Sequence, residues 1–171
     1  MKRGIGLMAT LLMAACAANT AIVAPDVPAA LRPPAGQTLH LEALATGVQI
    51  YECSRKGDAG FEWAFKAPEA ALADRSGKSL GKHYAGPTWE SNDGSTVVGG
   101  VAARDPGPLP SAIPWLLLSA KSNTGTGTFS ATKSIQRVAT TGGIAPASPC
   151  TAANLGEPAR VPYTATYYFY R

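Results

Sequence analysis

His83-Tyr84-Ala85-Gly86-Pro87-Thr88-Trp89-Glu90, followed closely by Asp93, holds the densest group of side chains able to do chemistry. An imidazole beside carboxylates is what positioned proton transfer requires. An indole offers a flat platform for a sugar ring or an apolar ligand. Arg137, on a later alternating segment, supplies a counter-charge for a carboxylate or a ligand. Three readings follow. In the first, His83, Trp89, Glu90, Asp93 and Arg137 line a ligand site. In the second, Glu90 and Asp93 are the acid and base of an enzyme acting on a glycan or other envelope polymer. That chemistry needs carboxyl groups about 5–9.5 Å apart. In the third, Gly86-Pro87 is a turn, Trp89 fills the core, His83 is exposed and Asp93 caps its own Asp-Gly hairpin.

Other chemistries lack their residues. His40 and Glu42 are two apart on one strand face, and His83 would make only a minimal third metal ligand. No HxH, HxxxH or HExxH spacing accompanies them, so no metal is assigned. Gly94-Ser95 and Gly77-Lys78-Ser79 are turns, not a nucleophile elbow. Thr141-Gly142-Gly143 and Val98-Gly99-Gly100 lack the lysine of a phosphate loop. Met1, Met8 and Met13 all precede Cys16, so the remainder has no thioether for a blue-copper site. No cofactor is assigned.

Lys2 and Arg3, an apolar run from Ile5 to Ala15, and then Cys16 resemble an export signal ending in a bacterial lipobox. Met13 stands where Leu, Val or Ile is usual. Residues 1–16 are therefore read as the signal and Cys16 as an acylated anchor to a membrane. Cleavage at Ala15-Cys16-Ala17 is the alternative. Residues 17–28, rich in Ala, Asn, Thr and Pro, read as a flexible tether, and residues 29–171 as one domain. The expected location is extracytoplasmic: the cell envelope or periplasm as a lipoprotein, otherwise secreted. In that oxidising setting Cys53 and Cys150, an even pair, are expected to form a disulfide. The 15 basic and 11 acidic residues are dispersed, which excludes a nucleic-acid partner.

The elements that must position these groups alternate with period two. Residues 37–43, 47–53 and 61–65 each read as strands with one buried face, with Val48, Ile50 or Tyr51 inward according to register. Residues 74–79 form a turn. Asn92-Asp93-Gly94-Ser95 is a hairpin turn. Residues 113–118 form an apolar run buried on both faces, or a short helical turn. Residues 124–130 and 134–139 form a further pair, and residues 161–170 a final aromatic strand. Residues 67–73 are the only helix-like piece. Trp63, Trp89 and Trp115 are read as core. The expected fold is mainly β, a single antiparallel sandwich or Greek-key-like domain with long loops and at most one short helix. A small outer-membrane barrel is the rival architecture, disfavoured by the proline clusters and the paired cysteines.

The strings Leu31-Arg32-Pro33-Pro34-Ala35-Gly36-Gln37, Gly47-Val48-Gln49-Ile50-Tyr51-Glu52-Cys53, His83 through Glu90, Ile113-Pro114-Trp115-Leu116-Leu117, Ser134-Ile135-Gln136-Arg137-Val138 and Val161-Pro162-Tyr163-Thr164-Ala165 occur in this order. Together they resemble an exported family of bacteria and fungi known as domain of unknown function 3455. The resemblance implies no established activity. Some fungal members bear a malate dehydrogenase label, but this chain has no Gly-x-Gly-x-x-Gly turn and no alternating β and α units. The functional expectation is an exported, lipid-anchored β domain. It binds an unknown small ligand or envelope component, or has a structural role in the envelope.

Overall fold

The computed structural model describes residues 21–171. The signal, Cys16 and residues 17–20 of the tether lie outside the described residues. The strands are β1 (Leu39–Arg55), β2 (Phe61–Ala73), β3 (Ser79–Tyr84), β4 (Thr88–Ser91), β5 (Thr96–Asp105), β6 (Trp115–Thr124), β7 (Ser134–Gly142) and β8 (Pro158–Tyr170). They follow one another in chain order around a closed antiparallel barrel, and β8 pairs back on β1. The mainly β, antiparallel character holds. The strands form one closed sheet, however, rather than two facing sheets with Greek-key crossings.

Side-chain size explains the closure. Ala43 and Ala45 of β1, Ala70 and Leu72 of β2, and Tyr163, Ala165, Tyr167 and Phe169 of β8 all face inward and are buried. Small residues opposite large aromatic ones fill a narrow barrel without overpacking it. Residues 67–73 belong to β2 and are not helical. Their buried positions alternate at Pro68, Ala70 and Leu72, and they pair with β1 throughout. The helical preference of alanine yields here to a cavity that only short side chains fit. Gly47 marks a tight crossing of β1 over β2. A Cβ there would collide with the Glu69 carbonyl oxygen and Ala70 Cα.

Of residues 124–130, only Thr124 lies in a strand, as the last residue of β6. Beyond Thr124 the chain loops inward and drives the fully buried Phe129 against Phe169 (ring centroids 4.7 Å apart), closing one end of the barrel. Asn123 Nδ2 donates to the Phe129 carbonyl at 2.7 Å, and the Phe129 N–H donates to Ser95 Oγ at 3.0 Å.

Leu116, Leu117 and Leu118 are all buried, as a run covered on both faces requires. Leu116 and Leu118 face the interior. Leu117 lies outside, under an N-terminal strap whose Val27 and Leu31 pack on Leu117, Val138, Tyr168 and Tyr170. Val27, placed by the sequence in the tether, is thus part of this outer cluster. Gln136 Nε2 donates to the Leu31 carbonyl at 2.7 Å, and Tyr170 Oη donates to Gln136 Oε1 at 2.6 Å, fixing the strap. Elsewhere the outward face carries ion pairs: Lys66 with Glu52, Arg160 with Glu69, and Arg75 with the buried Glu42. An apolar interior and a charged exterior are the reverse of a membrane barrel's polarity. No described helix is long and apolar enough to cross a membrane.

Candidate functional site

The β3–β4 hairpin is too short to complete the wall. β3 has 6 residues and β4 has 4. β2 pairs with β3 only from Ala70 onward, and β5 pairs with β4 only over Thr96, Val97 and Val98. The upper parts of β2 and β5 therefore have no strand between them. Pro68, which has no N–H to donate, sits on this unpartnered side of β2, where proline is tolerated. Behind the gap lies a cavity of about 450 Å³.

Its deep wall is aromatic. His83 and Trp89 are register partners on β3 and β4, and both are buried. Their rings stack at 4.3 Å with 12° between planes, while Tyr167 meets both edge-on at 5.1 and 5.3 Å. Gly99 makes room for the indole, since a Cβ there would lie 2.9 Å from Trp89 Cζ3. His83 is therefore not the exposed residue of the architectural reading. Its Nδ1 lies 2.8 Å from the Thr88 carbonyl oxygen. A carbonyl only accepts, so Nδ1 carries the proton and Nε2 is left as an acceptor.

Burial pushes the His83 imidazole down to about 3, against the weaker opposing pull of the Thr88 hydrogen bond. Between its ordinary value and about pH 3 the folded chain thus binds fewer protons than the unfolded one, and stability falls as the pH falls. Lowering the pH from 7 to 4.5 is expected to cost about 2–3 kcal/mol through this residue. His40, also lowered by burial, acts in the same direction. In guanidinium unfolding at the two pH values, His83→Phe should show a clearly flatter dependence than the parent. Equal slopes would mean that the imidazole is hydrated in the folded chain.

The rim is cationic. Arg104, Leu116, Arg137 and Tyr167 are successive cross-strand partners from β5 to β8, which places both guanidinium groups on the inward face. Arg137 donates from Nε and Nη2 to the Pro114 carbonyl, at 3.2 and 2.8 Å. Burial lowers its affinity for its proton and Arg104 adds to the effect, against the opposing pull of Tyr167 and Tyr163. Among the described residues neither Arg104 nor Arg137 has a carboxylate partner. Lys66, at the lip beside Phe65, is paired with Glu52. No Asp or Glu lines the cavity.

His83, Trp89 and Arg137 thus come together, and Glu90 and Asp93 do not join them. Glu90 faces outward, the next position after inward Trp89. It accepts from Tyr84 Oη at 2.8 Å and pairs with Lys82 at 3.2 Å. Asp93 sits in the hairpin turn at the closed end. Its Oδ1 accepts from the Ser95 N–H at 2.9 Å and the Ser95 hydroxyl. Its Oδ2 accepts from the Thr128 N–H and Oγ1 at 2.8 and 2.7 Å. These bonds hold the Asp93 carboxyl well below the usual range and brace the loop that carries Phe129. His40, Glu42 and His83 stay apart, and no three possible metal ligands converge among the described residues.

Sequence reasoning missed Gln49, Tyr51, Arg104 and Tyr167. Gln49 and Tyr51 face inward on β1 and are buried, while Val48 and Ile50 take the outer face. A glutamine at a core position was the available signal. Trp89 Nε1 is buried without a hydrogen-bond partner, a rare condition in a closed core, while Gln49, Tyr163, Tyr167 and Arg137 adjoin one another as a buried polar row. Trp63 and Trp115 are half-buried rather than core. Trp63 Nε1 donates to the Ser148 carbonyl at 2.8 Å. Cys53 and Cys150 are joined by a disulfide, which ties the same loop of residues 143–157 to β1 beside the mouth.

Residues 34–171 match the family described as "Protein of unknown function (DUF3455)". No curated protein and no solved structure matches the chain.

Proposed function

The chain belongs to the family of proteins of unknown function DUF3455, and from that starting point we propose that it is an exported, lipid-anchored barrel that binds a small, largely apolar ligand. The observation carrying this reading is the laterally open cavity, whose wall joins apolar side chains to the buried polar groups of Gln49, His83, Trp89 and Tyr167. Ligand sites are concave, mostly apolar, and furnished with a few convergent polar groups. The stacked His83 and Trp89 supply the platform. Trp89 Nε1 is a donor without a partner, and His83 Nε2 is left as an acceptor. The disulfide supports export, because such bonds persist in oxidising compartments. The Cys16 anchor rests on the sequence alone.

The test is fluorescence titration with the neutral probe N-phenyl-1-naphthylamine. Saturable binding is expected, and Val101→Trp at the lip should weaken it at least about fivefold by blocking the gap. No saturable binding, or binding indifferent to Val101→Trp, would overturn the reading. For the anchor, the full-length chain should partition into a Triton X-114 phase and Cys16→Ser should not; equal partitioning would remove the anchor.

A further inference from the structure

We infer that the ligand of this cavity is an amphipathic monoanion, with a carboxylate head against Arg137 and Arg104 and an apolar body lying on His83 and Trp89. This rests on the binding reading above and names the chemical class of the ligand.

The argument is one of charge and register. Cross-strand pairing puts Arg104 and Arg137 on one inward-facing row, flanking Leu116. Arg137 is partly withdrawn from water, where a charge usually carries a partner, and the exposed Arg104 adds a repelling like charge beside it. Neither has a carboxylate partner among the described residues, although the same barrel pairs Arg75 and Arg160 with Glu42 and Glu69. The cavity lining contains no acid that would neutralise them. A third cation, Lys66, is already satisfied by Glu52. The excess positive charge is thus confined to the arginine row.

The guanidinium of Arg137 is also held in a fixed orientation. Nε and Nη2 grip the Pro114 carbonyl, so the plane is set before any ligand arrives. Tyr167 is the side-chain neighbour of Arg137 on β8, and among the described residues no carboxylate takes its remaining N–H groups. A preset planar fork is the donor geometry that suits a carboxylate better than a compact ammonium would. Beyond the arginines the wall becomes Leu116, Leu118, Trp89 and Ile113, which offers nothing to a second charge. The polar head therefore belongs at the rim and the apolar body inside.

The neutral imidazole of His83 fits this division. It leaves the deep end without charge, so it neither attracts the head inward nor repels the body. A dianion would leave its second charge against the aromatic wall without a cationic partner, which is costly in a desolvated site.

The experiment is competition for bound N-phenyl-1-naphthylamine by octanoate and by octanol at pH 7.5, a pair matched in its apolar body. Octanoate is expected to compete at least about tenfold better, the scale of a charge-assisted hydrogen bond. Arg137→Gln should collapse that ratio toward unity. Arg104→Gln, at an exposed rim position with no hydrogen-bond partner to lose, should reduce it severalfold. It serves as the second variant should loss of the Pro114 grip unfold the first. Lys78→Gln, in the turn at the opposite end, should leave the ratio unchanged. If the neutral probe binds but octanol competes as well as octanoate, the carboxylate inference falls while the cavity reading stands. The same holds if Lys78→Gln lowers the ratio as much as the arginine variants. If the neutral probe does not bind at all, the cavity reading falls, and this inference with it.

Discussion

Trp89→Ala is expected to lower stability by about 3–5 kcal/mol and to abolish binding of N-phenyl-1-naphthylamine, the largest effect of any single substitution in this barrel. The indole is only 1% exposed. It stacks on His83, meets Tyr167 and Phe169 edge-on, and fills the notch above Gly99. Its removal leaves a void that rigid strands collapse into poorly, so the cavity cost adds to the lost burial. Aromatic pairs of this geometry contribute about 0.5–1.5 kcal/mol beyond area. Guanidinium unfolding measures the stability change. Trp63→Ala is the comparison, because Trp63 is half-buried and makes one hydrogen bond to the Ser148 carbonyl. Should the two cost the same, Trp89 would not be the keystone of the core. Should stability fall while probe binding persists, the ligand would lie elsewhere.

Removal of the disulfide is the second large effect. Cys53 and Cys150 lie 97 residues apart in sequence. Closing a loop of that length is worth about 3–5 kcal/mol in the chain-entropy account. Cys53→Ala/Cys150→Ala should therefore unfold at markedly lower denaturant, with reduction of the parent producing the same shift. The native state loses little else, because the loop of residues 143–157 keeps other ties. Tyr51 Oη donates to the Gly143 carbonyl at 2.7 Å, and the Gly156 N–H to the Cys53 carbonyl at 2.8 Å. Ligand affinity should thus survive in the folded fraction. An unchanged unfolding midpoint would show that the denatured chain is already compact around this loop.

The strands were legible because alternation is a local signal. The Asp93-Gly94 turn, the final aromatic strand and the doubly buried leucines of β6 all stand where the pattern puts them. Closure was not legible, because a sandwich and a barrel share the same alternation. They differ only in whether β1 finds β8, a pairing between distant parts of the chain. Residues 67–73 read as helical because alanine favours helices when nothing else decides. The narrow interior opposite Tyr167 decided otherwise. The site was half legible for a related reason. Trp89 and Glu90 are neighbours in sequence, yet a strand sends consecutive side chains to opposite faces. Proximity along the chain therefore grouped residues that the sheet separates, while Arg104, Tyr167 and Gln49 reached the cavity from distant strands.

β1 is held by two ladders at once, Leu44 facing Ala73 on one side and Thr166 on the other. The second of these partners is the last strand of the chain. A chain exported N-terminus first, as proposed, would present β1 long before β8 exists outside. For that interval the longest strand of the protein has one bare edge, open to pairing with any other extended segment. Folding so dependent on contacts between the two ends is slow, since the whole loop must close before its reward arrives.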